Sequence, residues 1–243
     1  MLDLSFKNQK EPRSGVILIS DPFLKEEFFR RSVILVCEHD ENGTFGFVLN
    51  HYLEEDLHEI DNKFPDIQAR VSVGGPVDTT NLFYIHSFSD IEHSFEILDG
   101  LYFGGNFDQI KERLLRNESA KQRIRFFIGY SGWASGQLAD ELAENGWFVA
   151  DNIAQADLLS TADDEFWKHC LEKQGERFKI IANFPINPEK NWVSDELLIT
   201  NDEWRVFDIW SKFEQVLMSW NLNIHLVLTS SCKTLRRSLK IKS

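Results

Sequence analysis

Little in this chain of 243 residues equips it for secretion, membrane insertion or metal binding. Cysteine is scarce: Cys37, Cys170 and Cys232 are odd in number, widely spaced and form no CxxC pair. That argues against a disulfide framework and a zinc site, and points to a reducing compartment. No apolar run approaches the roughly 18 residues that a membrane-spanning helix needs. The opening stretch, MLDLSFKNQKEPRSG, is polar where a signal peptide would be apolar. A cytosolic protein without a transmembrane segment is therefore expected. The histidines form no HExxH, with His86 and His93 seven apart across a loop, and neither a GxGxxG nor a P-loop lysine occurs. Neither metal nor cofactor is expected.

Positive charge is also short. The chain has 26 Lys and Arg against 39 Asp and Glu, a net of −13. Residues 191–243 hold seven basic and six acidic residues, so residues 1–190 keep 19 basic and 33 acidic, a net of −14. Such a surface repels phosphate backbones, and direct nucleic-acid binding by the body is not expected. Arg30-Arg31 is too small a basic patch to reverse this.

What is present is a series of short apolar runs. Gly15–Ser20, Ser32–His39 and Thr44–Leu49 read as strands, the last two joined as a hairpin through Asn42-Gly43. A short helix is expected over Leu24–Phe29, and a surface helix with loop over Tyr52–Asp66. Further strands are expected at Arg70–Val73, Leu82–His86, Ser94–Leu98, Leu101–Phe103, Arg123–Tyr130 and Trp147–Ala150. Asn106 is placed to cap a helix through about Arg116, with Phe107, Ile110 and Leu114 on one face. A second helix fits Gly136–Asn145. A last one, capped by Thr161, runs through Phe166 and Leu171 to Gln174-Gly175, where the core should be complete.

Several segments, taken in order, resemble the bacterial AlgH/YqgE family. They are Phe28-Phe29-Arg30-Arg31-Ser32-Val33 leading to Cys37-Glu38-His39-Asp40; Gly43-Thr44-Phe45-Gly46-Phe47-Val48-Leu49-Asn50; Gly74-Gly75-Pro76-Val77; and Asp99-Gly100-Leu101-Tyr102. The run Gly129-Tyr130-Ser131-Gly132-Trp133-Ala134-Ser135-Gly136-Gln137-Leu138 follows, with Glu141 and Trp147 beyond it. The resemblance covers about three quarters of the chain. It implies an α+β fold in which a mixed, strongly bent sheet forms a pseudo-barrel flanked by helices. The family name alludes to transcriptional control of polysaccharide synthesis but names no chemistry, so no catalytic residue is carried over. Residues 1–189 form the family-like domain on this reading. Residues 190–243 form an appendage, with an amphipathic stripe of Ile209, Phe213, Val216 and Trp220 and a basic end from Lys233 to Lys242.

Four features carry possible chemistry. Ser131 sits in Gly129-Tyr130-Ser131-Gly132-Trp133, but a nucleophile elbow needs a small residue where Trp133 stands; a strand ending in a tight turn, with Trp133 lidding the core, is the plainer reading. Cys37 and His39 are two apart on a strand, so a thiol and an imidazole would share a face. Against that, Cys37 closes the apolar run Val33–Val36, where cysteine packs as a small hydrophobe. Gly74-Gly75-Pro76 offers either an anion nest or simple turn geometry, and the proline favours the turn. A shared binding surface of Arg31, Asn50, Gly75, Tyr130, Trp133 and Gln137 is the best candidate site, because loops and strand ends carry binding groups. The competing roles are an ion pair for Arg31 and closure of a turn by Asn50. The functional expectation is a binding or regulatory module for a protein or small-molecule ligand. The alternative is an enzyme using Cys37 with His39, or a nucleotide.

Overall fold

The computed structural model describes residues 10–24, 26–60 and 69–183. The stripe from Ile209 to Trp220 and the basic end lie outside these residues. The strands are β1 (Ile17–Ser20), β2 (Val33–Asp40), β3 (Gly43–Val48), β4 (Tyr52–Asp56), β5 (Arg70–Val73), β6 (Val77–His86), β7 (Ser94–Leu98), β8 (Leu101–Gly104), β9 (Ile124–Ala134) and β10 (Trp147–Ala150). The helices are α1 (Leu57–Ile60), α2 (Phe107–Arg116), α3 (Gln137–Ala143), α4 (Gln155–Leu159), α5 (Phe166–Glu172) and α6 (Glu176–Ala182). One curled sheet runs β10-β1-β2-β3-β9-β6-β8-β7, with β4 on β5 and β5 on β9. Pairing is antiparallel except between β5 and β9. The mixed, strongly bent sheet of an α+β fold is as expected, and the pseudo-barrel takes the form of a curled half-barrel.

Strand β9 organises the curl. Its first half pairs with β5 and β6, and its last residues, Ser131–Ala134, pair with β3. Between them Gly129 takes φ +68, and a Cβ there would lie 2.5 Å from the Gly75 carbonyl oxygen. A side chain is therefore excluded where the strand passes from one half of the sheet to the other. The outer flanks are drawn together by polar ties. Ser14 Oγ lies 2.7 Å from the Cys37 carbonyl on β2 and 2.9 Å from the Ile97 carbonyl on β7. The Gln155 side chain on α4 donates to the Gly100 carbonyl at the β7–β8 turn.

Strand alternation sorts the core. Leu18, Ile34, Val36 and Val48 face a cluster with Phe29, Trp133, Leu138 and Trp147. The other parity, with Ile17, Leu35 and Phe47 in one register row, is equally buried. A second cluster holds α2 through Ile110 and Leu114 against Val71, Tyr84 and Phe126. Asn106 caps α2 as its sequence position implies, accepting from the N–H groups of Asp108 and Gln109 at 3.0 and 3.2 Å.

Several expectations need correction. A helix over Leu24–Phe29 is not found in its described residues, Leu24 and 26–29: Phe29 and Arg30 bond back only three residues, to Glu26 and Glu27, and Arg31 at φ +54 leaves the helical region. Tyr52–Asp56 is a strand, not a surface helix. Its register sets Asp56 opposite Arg70, and Arg70 lies 3.8 Å over the Tyr52 ring. Strand β9 does not turn at Ser131 but continues to Ala134. Thr161 does not cap α5, which starts at Phe166 after Glu165 with no side-chain cap. The core is not complete at Gly175, because α6 buries Phe178, Ile181 and Ala182.

Candidate functional site

The six surface candidates fall in separate places. Asn50 joins the end of β3 to the start of β2: its Oδ1 accepts from Val33 N–H at 2.8 Å and its Nδ2 donates to the Arg31 carbonyl at 2.7 Å. The Arg31 guanidinium stands 4.9 Å over the Trp167 ring of α5. Gly75 lies where the β5–β6 connection crosses β9, and a Cβ on it would fall 2.1 Å from the Tyr130 carbonyl carbon. That is a steric requirement for glycine, and it explains the Gly-Gly pair as a backbone crossing. The Gly74 carbonyl accepts from Val48 N–H and Ser131 Oγ, and the Gly74 N–H donates to the Ile128 carbonyl.

Trp133 and Gln137 belong to a third place. Glu141 Oε2 accepts from the indole N–H of Trp133 at 2.9 Å and of Trp147 at 2.7 Å. Its Oε1 accepts from Gln137 Nε2 at 3.0 Å, while Gln137 Oε1 accepts from Ala134 N–H. One carboxylate thus ties β9, α3 and β10 together and satisfies two indoles that would otherwise lose their hydrogen bonds on burial.

Among the described residues, both cysteines and Ser131 are enclosed; Cys232 lies outside them. Cys37 is buried, and burial, reinforced by Glu38, pushes its thiol well above the ordinary range. Register slips at a bulge between Val36 and Glu38, which breaks the shared-face relation between Cys37 and His39. His39 is exposed and bonds Thr44 Oγ1 at 2.6 Å. Cys170 is buried too, its thiol pushed up to about 12 by desolvation. Ser131 is buried, with its hydroxyl donating to Gly74. Ser32 Oγ lies 3.2 Å from His51 Nε2, a pairing not visible in the sequence, but Ser32 has no exposure. Burial lowers the pKa of His51 and of His86 and raises the Asp21 carboxyl to about 7, although Phe23 N–H bonds Asp21 Oδ1.

Tyr130 leads to a different surface. Its half-buried ring packs edge-on to Phe45 at 6.0 Å and Phe83 at 5.8 Å. Phe103 lies 5.3 Å from Phe45 and 5.7 Å from Phe47, and Phe47 stacks on Phe127 at 4.5 Å. Phe47 and Phe127 form a buried floor under the half-buried rings of Phe45, Phe83, Phe103 and Tyr130. Across β8, Phe95 pairs with Phe103 and is 71% exposed. In the sequence each of these rings looks like an ordinary strand phenylalanine. The spacing Phe45-x-Phe47, two rings on one face of a strand, was the available signal. Charge chemistry here is sparse: Arg125, buried beside Phe127, donates to the carbonyls of Leu49, Leu158 and Ser160 and reaches Tyr52 Oη and Ser72 Oγ. Among the described residues no cluster of three metal-ligating side chains occurs, and no helix is long and apolar enough to cross a membrane.

Comparison with known proteins places this fold. The family model described as AlgH-like matches residues 17–179. A UPF0301 protein of Bacteroides thetaiotaomicron is 40% identical over 185 residues, covering 76% of this chain and 94% of that protein. A UPF0301 protein of Chlorobium limicola is 37% identical over 180 residues, covering 74% and 96%. A crystal structure from Corynebacterium diphtheriae superposes with a TM-score of 0.59 at 25% identity, covering 74% of this chain and 95% of that one. The solution structure of the AlgH protein from Pseudomonas aeruginosa gives 0.56 at 23% identity, covering 73% and 98%, and shares the fold. Sequence, family model and fold agree, and the chain belongs to the AlgH-like family.

Proposed function

We propose that this chain is a cytosolic binding module that holds a polypeptide or small-molecule ligand on the aromatic face of its half-barrel. One observation carries the reading: Phe45, Phe83, Phe103 and Tyr130 are partly exposed in one contiguous ring set, continued by the exposed Phe95. Contiguous exposed apolar surface marks an interaction site more often than a structural one. The groups an enzyme reading would use, Cys37 and Ser131, are buried. The acid excess of residues 1–190 argues against duplex DNA as the ligand. We take residues 1–189 as the binding domain and 190–243 as an appendage, so a chain ending at Lys190 should retain its unfolding transition.

The test uses Nile red, a neutral apolar dye, with the full chain. Dye fluorescence should rise on binding and fall strongly in Tyr130→Ser and Phe83→Ser, with urea midpoints showing both variants folded. Unchanged dye binding in both folded variants would remove the aromatic face as the site.

A further inference from the structure

Strand β7 ends the sheet, with β8 as its only strand neighbour among the described residues. An open strand edge offers unpaired main-chain groups, and natural proteins usually guard it with lysine, proline or a covering segment. Here the Ile97 end is covered, since Ser14 Oγ donates to the Ile97 carbonyl. Among the described residues the Ser94–Glu96 end has no such cover, with Phe95 71% exposed and Glu96 exposed beside it. Phe95 also stands at the outer limit of the aromatic face, through its register partner Phe103. The stretch from Asp90 to Asp99 contains no lysine, arginine or proline. It carries Glu92, Glu96 and Asp99 exposed, apart from Asp90, which is bound to Arg113.

We infer that the Ser94–Glu96 edge of β7 takes up an added strand from a basic polypeptide in which apolar residues alternate with lysine or arginine. The period of two puts an apolar side chain against Phe95, at the rim of the aromatic face, and cations near Glu96 on the other face. Charge decides the occupant. A second copy of this chain would bring Glu96 toward Glu96 across the new pair, between two molecules each carrying −13. A cationic strand meets the same carboxylates with attraction. The inference rests on the aromatic face being a binding face and names the partner that face would take.

Fluorescence anisotropy with the full chain tests it, using a labelled octapeptide of alternating valine and lysine at about 0.15 M salt. Three results are expected. The peptide binds, while a valine–glutamate peptide does not. N-methylation of two adjacent central residues, which removes a donor from each strand edge, weakens binding at least about tenfold. Phe95→Ser and Glu96→Lys each weaken it by about the same factor. Equal affinity for the methylated peptide would reduce the effect to charge attraction and overturn strand addition. So would failure of the lysine peptide on a chain that still binds Nile red, a result that leaves the aromatic face intact as a site. Sedimentation showing a dimer that Phe95→Ser abolishes would give the edge to a second copy instead. If Nile red also fails to bind, the aromatic-face reading itself falls.

Discussion

Two aromatic regions at opposite flanks of the same sheet behave in opposite ways. On the β9–β10 side, Trp133 and Trp147 are buried, and both indole N–H groups end on Glu141. On the β8–β7 side, Phe103 is only partly buried and Phe95 is 71% exposed, with no polar handle to satisfy. An aromatic ring is a large apolar load wherever it sits. What separates structure from recognition here is whether the surroundings close over the ring. The tryptophans come with a tailored acceptor, which is the mark of a position built for the fold. The phenylalanines come with a strand edge left open among the described residues, which is what the proposed strand addition would use.

Breaking the interior polar ties should therefore cost stability, and altering the open face should not. The largest effect is expected at Arg125, whose guanidinium is the common donor to Leu49, Leu158 and Ser160. Arg125→Met should lower unfolding free energy by about 3 to 5 kcal/mol in urea titrations, because several buried carbonyls lose a charged donor together. A loss below about 1 kcal/mol would mean these ties are ornamental.

Asp21 gives the next effect, with opposite sign. Its folded-state pKa, about 7, lies above the ordinary carboxylate value of 3.8, so the folded chain holds the proton more tightly than the unfolded one. Stability from this group is complete below about pH 4, falls as pH rises between 4 and 7, and stays low above that. Asp21→Asn should then stabilise the protein by about 2 to 4 kcal/mol at pH 8 and hardly at all at pH 4. The half-buried His51 and the buried His86, with lowered pKa values, work the other way and weaken the fold only on acidification below their ordinary 6.5. Thermal unfolding measured across pH 4 to 8 checks both signs.

Glu141 sharpens the comparison most directly. Glu141→Ala leaves two buried indole donors without their acceptor and should cost about 2 to 3 kcal/mol, whereas Glu141→Gln, which keeps one acceptor oxygen, should cost less. Urea titration followed by tryptophan fluorescence reads this. The smallest effect is expected on the open flank: Phe95→Ser should change stability by less than about 0.5 kcal/mol. A larger loss there would show that Phe95 packs in solution and would undo the contrast between the two flanks.

Much of this was legible in the residues. The runs from Val16 to Ile19, Val33 to Val36 and Phe45 to Leu49 announce β1, β2 and β3 through β-branched and aromatic content, and Asn42-Gly43 marks the hairpin of the last two. Strand β4 did not announce itself, because Glu54, Glu55 and Asp56 look like a solvated helix face. It is a strand because β5 and Arg70 are there to receive it. The Leu24–Phe29 segment has helical composition, but the connection from β1 to β2 turns too tightly for a helix to form. Of the candidate site residues, Tyr130 lies on the aromatic face, while Asn50 and Gln137 hold local joints. Cys37 was read rightly as buried, although the pairing logic with His39 failed at a bulge that no local pattern signals.

By itself the sequence determined the family, the α+β class, the excess of negative charge and where most strands lie. These depend on local alternation, on turn residues and on a sum over charges, all of which are properties of neighbours along the chain. Tertiary structure alone decided which flank of the sheet is closed, which rings stay open, and that Glu141 serves two tryptophans while Arg125 serves three carbonyls. It also decided that Gly75 must be glycine because β9 crosses it. The Arg125 and Gly75 relations depend on register and on the curl of the sheet, which bring together groups dozens of residues apart. Glu141 reaches its tryptophans over six and eight residues, but only through the packing of α3 against β9 and β10, and no local period encodes either.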